Sequence, residues 1–143
     1  MKIRFVLLGR TRRPEIRALM DDYVARIRHY AEMEITEIRA PNQTSLHKLK
    51  IDPSATTVLL DAAGKQFTST EFAHWLGSLR DRGVREIVFF CGDAEGFPKE
   101  IRSGAKNRIS LSTLTMPHEF ARVVLAEQIY RAFAILAGHP YPK

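Results

Sequence analysis

"REIVFFCG", residues 85–92, decides the fold class. Ile87 to Cys91 are apolar without a break, rich in β-branched and aromatic side chains, and Gly92 closes the run. A run this short, with no polar face, reads as a strand covered on both sides. "IRFVLLG" (3–9) and "TTVLLDAAG" (56–64) have the same character and also end in glycine. "EITEIRA" (34–40) alternates as a strand does, and "RISLS" (108–112) supplies a fifth run. Between them lie helical patterns. Pro14 suits the first position of a helix, and Ile16, Leu19, Met20, Tyr23, Val24 and Ile27 follow at helical spacing. Residues 69–82 turn Phe72, Ala73, Trp75, Leu76 and Leu79 inward, and Gly83 stops that helix. "NQTSLHKLK" (42–50) and "PKEIRSGA" (98–105) read as shorter helical pieces, the first as helix or loop. Strands that alternate with helices and are apolar throughout predict an α/β fold. Its sheet is mostly parallel, with helices on both faces, in a single domain spanning 1–143.

The charge narrows the partners. Lys and Arg number 22 against 16 Asp and Glu, a net charge of +6, which favours an anionic partner such as nucleic acid or else serves solubility alone. The single cysteine, Cys91, excludes a disulfide framework and fits a reducing cytoplasm. It reads as a small core residue rather than a nucleophile. No run suits a signal peptide or a membrane span. The histidines at 29, 47, 74, 118 and 139 show no metal-ligand spacing with one another or with Cys91, so no metal is expected.

In a parallel α/β sheet, ligands sit beyond the carboxyl ends of the strands. Those ends here are "GRTRRPE", "DAAGK", "CGDAEG" and "SLSTLTMPH". "DAAGK" is not a phosphate loop, because Leu59 stands where the first glycine is required. "CGDAEG" has only Gly92 and Gly96, short of a dinucleotide fingerprint. It reads as a plain turn or as a loop whose backbone approaches a ligand closely. "GRTRRPE" gathers Arg10, Arg12 and Arg13 at a strand-to-helix turn, as a solvated loop or as phosphate contacts.

"SLSTLTMPHEFARVVLAEQIYRAF" (110–133) joins a hydroxyl-rich loop to a helix that is too apolar for a surface position. Packed on the sheet, the helix would still expose Val123, Tyr130 or Ile135, and a second copy of the chain covers them most economically. Glu127 and Arg131 stand four apart in the favourable order for a pair.

"LLDAAGK" (59–65), "CGDAEGF" (91–97), "SLSTLTMPHEFARVVLAEQIYRAFAI" (110–135) and "HPYPK" (139–143) together resemble the RlmH family of large-subunit ribosomal RNA methyltransferases. The resemblance covers essentially the whole chain, and its most specific part is P-H-x-x-x-R-V-x-x-x-E-x-x-Y-R-A. It implies a SPOUT-type fold with a deep C-terminal trefoil knot, which ordinary topology rules would not suggest. It also implies a homodimer. The implied reaction moves a methyl group from S-adenosylmethionine to N3 of a pseudouridine in the helix 69 loop of 23S rRNA, on the assembled ribosome. Carried over by residue, the donor is expected on Leu60, on Gly92, and on Leu111, Ser112, Thr113, Leu114, Thr115 and Met116. His118, Arg122 and Tyr141 are the catalytic candidates, with His118 the candidate base. Arg10, Arg12, Arg13, Arg131 and Lys143 are the RNA-binding candidates. Arg122 and Arg131 have structural alternatives in pairs with Glu119 or Glu127.

Two positions depart from the family pattern. Asp93 stands where a second glycine is usual, either narrowing the pocket or meeting cationic groups of the donor. Pro142 stands where a histidine is usual, so that residue's role does not transfer. Two other functions stay open: a non-catalytic basic RNA- or ribosome-binding dimer, and a SPOUT enzyme with another RNA target.

Overall fold

The structure is a computed structural model and describes residues 1–141. Pro142 and the RNA-binding candidate Lys143 lie outside the described residues. The elements run β1 (Lys2–Leu8), α1 (Pro14–Ile27), β2 (Glu32–Ile38), α2 (Gln43–His47), β3 (Thr56–Gln66), α3 (Ser69–Asp81), β4 (Glu86–Cys91), α4 (Lys99–Gly104), β5 (Asn107–Ser110) and α5 (His118–Leu136). The sheet order is β2-β1-β4-β3-β5, and every paired strand is parallel. The apolar run at 85–92, β4, is therefore the central strand.

Alternation within the buried strands divides the core. Ile3, Phe5 and Leu7 of β1, with Ile87 and Phe89 of β4, face α1, α3 and α5. Val6, Leu8, Val88 and Phe90 face the other way, toward Leu49 and Ile101 near the short helices α2 and α4. Helices thus cover both faces, but unequally: the three long ones share one side. α3 starts in a capping box, with Thr68 and Glu71 each satisfying the other's backbone N–H.

Several boundaries and faces differ from the sequence reading. β2 begins at Glu32 and ends at Ile38 rather than running 34–40, because its pairing with β1 starts at Lys2–Glu32. β5 stops at Ser110, where its hydroxyl donates to the Ser112 carbonyl (3.1 Å) and the chain turns. Leu19, expected inward on α1, is 46% exposed. Tyr130, expected outward on α5, is buried by its own chain among Tyr23, Tyr30 and Tyr141.

α5 resolves its apparent excess of apolar residues largely within one chain. It lies between α1 and α3, burying Leu125, Ala126, Ile129, Ala132, Phe133 and Ala134. Full burial of each large member contributes roughly 1.5–3 kcal/mol. Phe120 and Ile135 remain exposed, and Val123 and Val124 are half-buried. Among the described residues, no helix is long and apolar enough to cross a membrane.

Candidate functional site

Parallel pairing brings all five strand ends to one edge. Across that edge, in sheet order, stand Arg39 after β2, Gly9 after β1, Gly92 after β4, the segment after Leu60 in β3, and Leu111 after β5. The edge has two chemically distinct halves. Arginines occupy the β2–β1 half; glycines and hydroxyl residues occupy the β4–β3–β5 half.

The glycine–hydroxyl half is built from close backbone approaches. In β3 both Leu60 and Lys65 pair with Ile109, so residues 61–64 loop outward between them. A Cβ on Gly64 would lie 2.6 Å from the Arg108 carbonyl carbon, so only glycine fits there. Asp61 and Arg108 pair across this loop at 3.1 Å. After β4, Gly92 lies against Gly96, whose carbonyl oxygen would be 3.0 Å from an added Cβ. Asp93 bridges to Gly96, and its carboxylate accepts the Glu95 N–H at 2.8 Å. The residue that replaces a second glycine is therefore used to fold its own turn. After β5, the Ser112 hydroxyl accepts the Leu114 N–H at 2.9 Å. Thr113, Leu114 and Thr115 are exposed, and Leu60, Leu111 and Met116 are half-buried. Among the described residues, the main-chain amides of Thr113, Thr115 and Met116 have no protein partner.

At the seam between the halves lies Arg122, one turn into α5 and 0% exposed. Its guanidinium donates to Thr11 Oγ1 (2.7 Å) and to the carbonyls of Leu8 (2.8 Å) and Gly9 (3.0 Å). Burial lowers its pKa, against the raising effect of Cys91, Glu37, Glu119 and Asp93 nearby. Cys91 itself is buried, and desolvation pushes its thiol up to about 12, which removes it as a nucleophile at neutral pH.

Glu119, also buried, accepts the backbone N–H groups of Arg12 (3.1 Å) and Arg13 (3.2 Å). Glu37 accepts the Thr11 N–H (2.7 Å), and Arg17 donates to the Thr11 carbonyl (2.8 Å) and to Glu37 (3.3 Å). Gly9, at a φ of +89°, makes the turn that glycine alone adopts easily.

The catalytic candidates separate. His118 is the half-exposed first residue of α5, between the hydroxyl loop and the arginine turn. Arg122 lies beneath it in the interior. Tyr141 sits farther along the helix, donating to Glu127 Oε2 at 3.0 Å with its ring edge on Tyr130. Nine residues separate His118 from Glu127, about 13 Å of helix rise. Desolvation, with hydrogen bonds to Tyr23 and Glu127, holds the Tyr141 phenol above its usual range. Arg131 pairs with Glu127 at 2.8 Å and lies over the Tyr141 ring. Arg13 lies over Phe120. Arg10 and Arg12 are exposed.

Sequence reasoning did not single out Glu37 or Arg39. Glu37 sits in an alternating strand and Arg39 just beyond it, and only pairing β2 to β1 places both beside the arginine turn.

A parallel sheet with glycine and hydroxyl loops at one edge places a ligand site beyond the carboxyl ends of its strands. A family model described as "Predicted SPOUT methyltransferase" matches residues 1–142. The fold resembles a probable methylase family protein from Haemophilus influenzae, with a TM-score of 0.61 at 10% identity over 99% of this chain and 72% of that one. It also resembles the SpoU methyltransferase AviRb from Streptomyces viridochromogenes, solved in complex with AdoMet, with a TM-score of 0.52 at 12% identity over 89% of this chain and 56% of that one. Two curated relatives bear the name ribosomal RNA large subunit methyltransferase H. The one from Koribacter versatilis is 42% identical, covering 99% of this chain and 97% of its own. The one from Gloeobacter violaceus is 41% identical, covering 99% and 98%. The chain belongs to the RlmH family of SPOUT methyltransferases.

Proposed function

We propose that this chain is an S-adenosylmethionine-dependent methyltransferase acting on N3 of a pseudouridine in the helix 69 loop of 23S rRNA, in the assembled ribosome. The names of the relatives support the rRNA large subunit as target, and the AdoMet complex of a fold neighbour supports the donor. The observation that carries the reading is the hydroxyl loop beside the Gly92 turn. Its unpartnered amides at Thr113, Thr115 and Met116 and its exposed threonine hydroxyls fit a zwitterionic, adenine-bearing donor. Leu60, Gly92 and residues 111–116 would hold that donor, which supplies the methyl group when bound.

The chain's own contribution is alignment of donor and RNA. His118, at the junction of the two halves, is the residue to take the N3 proton. Arg122 acts as a positioning residue: it fixes the Leu8–Thr11 turn from below. Tyr141, a phenol that stays protonated, serves as a hydrogen-bond donor near Glu127 and Arg131. Arg10, Arg12, Arg13 and Arg131 present positive charge to RNA. The reading includes the trefoil knot that the family resemblance implies. A homodimer is supported by Phe120 and Ile135, exposed by 40% and 39% on α5.

Mass mapping of the helix 69 fragment, from cells with and without the gene, tests the reading. A methyl group on the pseudouridine is expected only with the gene. Identical fragments from the two strains would sink the assigned target, and calorimetry showing no donor binding at millimolar concentration would sink the enzyme.

A further inference from the structure

The β2–β1 half of the edge contains an open groove of about 590 Å³, lined by Gly9, Arg10, Thr11, Arg12, Arg17 and Arg39. Four of its six lining residues are arginines, and none is aromatic or aliphatic. Their roles differ. Arg17 is held by Thr11 and Glu37. Arg10, Arg12 and Arg39 are exposed and have no ion pair among the described residues. The backbone of the 8–13 turn, which carries Arg10 and Arg12, is fixed from the interior by Arg122, Glu119 and Glu37. Three cations therefore line the groove without an ion pair, two of them on a turn tied from within.

We propose that this groove is a clamp for consecutive phosphates of an RNA strand, with Arg39 of the β2 end as its outer jaw; this rests on the rRNA reading above. The lining carries no aromatic ring and no apolar wall of the kind that encloses a nucleotide cofactor. Guanidinium groups spaced along an open groove suit the repeating charge of a backbone. Contacts of this kind set register and carry no sequence information. The clamp is distinct from the donor loop, which leaves β5 at the other end of the strand-end row and meets the arginine turn only at the start of α5.

The test measures binding of two labelled RNA hairpins by fluorescence anisotropy across a salt series. One has the helix 69 sequence and the other is a scrambled hairpin of equal length. R39Q and the double variant R10Q/R12Q are compared with R82Q, which loses the same single charge as R39Q near the α3 C-terminus, at the opposite edge of the sheet. R39Q is expected to weaken both hairpins several-fold and to lower the slope of log K against log salt by about 1, with the double variant losing about 2. R82Q is expected to leave the slope unchanged, and donor affinity by calorimetry is expected to be the same in all variants. An unchanged slope in R39Q and R10Q/R12Q overturns the clamp, as does an equal loss in R82Q. Weakening of the helix 69 hairpin alone also overturns it, because that is base readout. So does a wild-type chain that binds neither hairpin at low salt. A wild-type chain that methylates ribosomes while its variants keep the full slope removes the clamp and leaves the enzyme. The expected slope losses in a chain that transfers no methyl group keep the clamp and remove the enzyme.

Discussion

Two loops flank the start of α5, and they are built on opposite principles. In the turn from Leu8 to Arg13, most backbone groups are tied by residues distant in sequence: Arg122, Glu119, Glu37 and the Ile38 carbonyl. Among the described residues, the side-chain hydrogen bonds that tie the loop from Leu111 to Met116 come from its neighbours, Ser110 and Ser112. The first is rigid because buried charged groups satisfy it, and such bonds are the stronger kind. The second keeps amides and hydroxyls unpaired, and those are the groups a polar ligand needs. A surface that must hold its cations apart is preformed, whereas a surface that must wrap a small molecule leaves its hydrogen bonds to the ligand.

The sharpest way to break the comparison is to remove Arg122. Arg122→Ala strips a charged donor from two buried acceptors and one part-buried acceptor at once and opens a cavity. A loss of about 3–4 kcal/mol is expected in urea unfolding. Arg122→Lys should recover only part of it, because an ammonium cannot reproduce the fork. A loss below about 1 kcal/mol for Arg122→Ala would show that the turn holds itself and that the contrast between the loops is false.

Gly64→Ala attacks the other half. The new methyl group would meet the β5 backbone at Arg108 and Ile109, not a side chain that swings away. A destabilisation of about 2–3 kcal/mol is expected. Because β5 leads directly into the hydroxyl loop, donor affinity should fall as well, measured by calorimetry. Unchanged stability and affinity would mean that the crowded approach is not needed to shape that loop.

Much of the strand frame was legible, for a physical reason. Strands buried on both faces are largely apolar, so "IRFVLLG" and "REIVFFCG" had few other readings, whereas "TTVLLDAAG" is buried only at Val58 and Leu59 and its residues 61–64 loop outward before β3 resumes to Gln66. The role of α5 was only half legible. Its apolar excess implied two packing surfaces, but α1 and α3 supply most of the cover, and Tyr130 is enclosed by tyrosines that sequence spacing does not bring together. Arg122 stood in a recognisable motif, yet its burial depends on Thr11, Leu8 and Gly9, more than a hundred positions away, and no local pattern encodes that. Asp93 looked like a departure at the donor pocket, but its carboxylate closes an Asx turn.

Glu119→Gln sharpens the comparison more gently. The amide oxygen can still accept from Arg12 and Arg13, so the geometry survives while the charge is lost. A cost of about 1 kcal/mol is expected, together with faster hydrogen exchange at the Arg12 and Arg13 amides. No change in exchange at those amides would show that Glu119 is not what holds the turn.

Ser112→Ala should have the smallest effect on stability and separates the two principles most cleanly. Its hydroxyl accepts one exposed N–H within its own loop, so unfolding should shift by no more than about 0.5 kcal/mol. The loop would lose the hydroxyl and the one local bond it makes, and donor affinity is expected to fall several-fold while the salt slope of RNA binding stays the same. A fall in stability comparable to that of Arg122→Ala would mean that the hydroxyl loop is as firmly built as the arginine turn. The donor would then bind to a preformed cradle, and the distinction between the two halves of the edge would rest on charge alone.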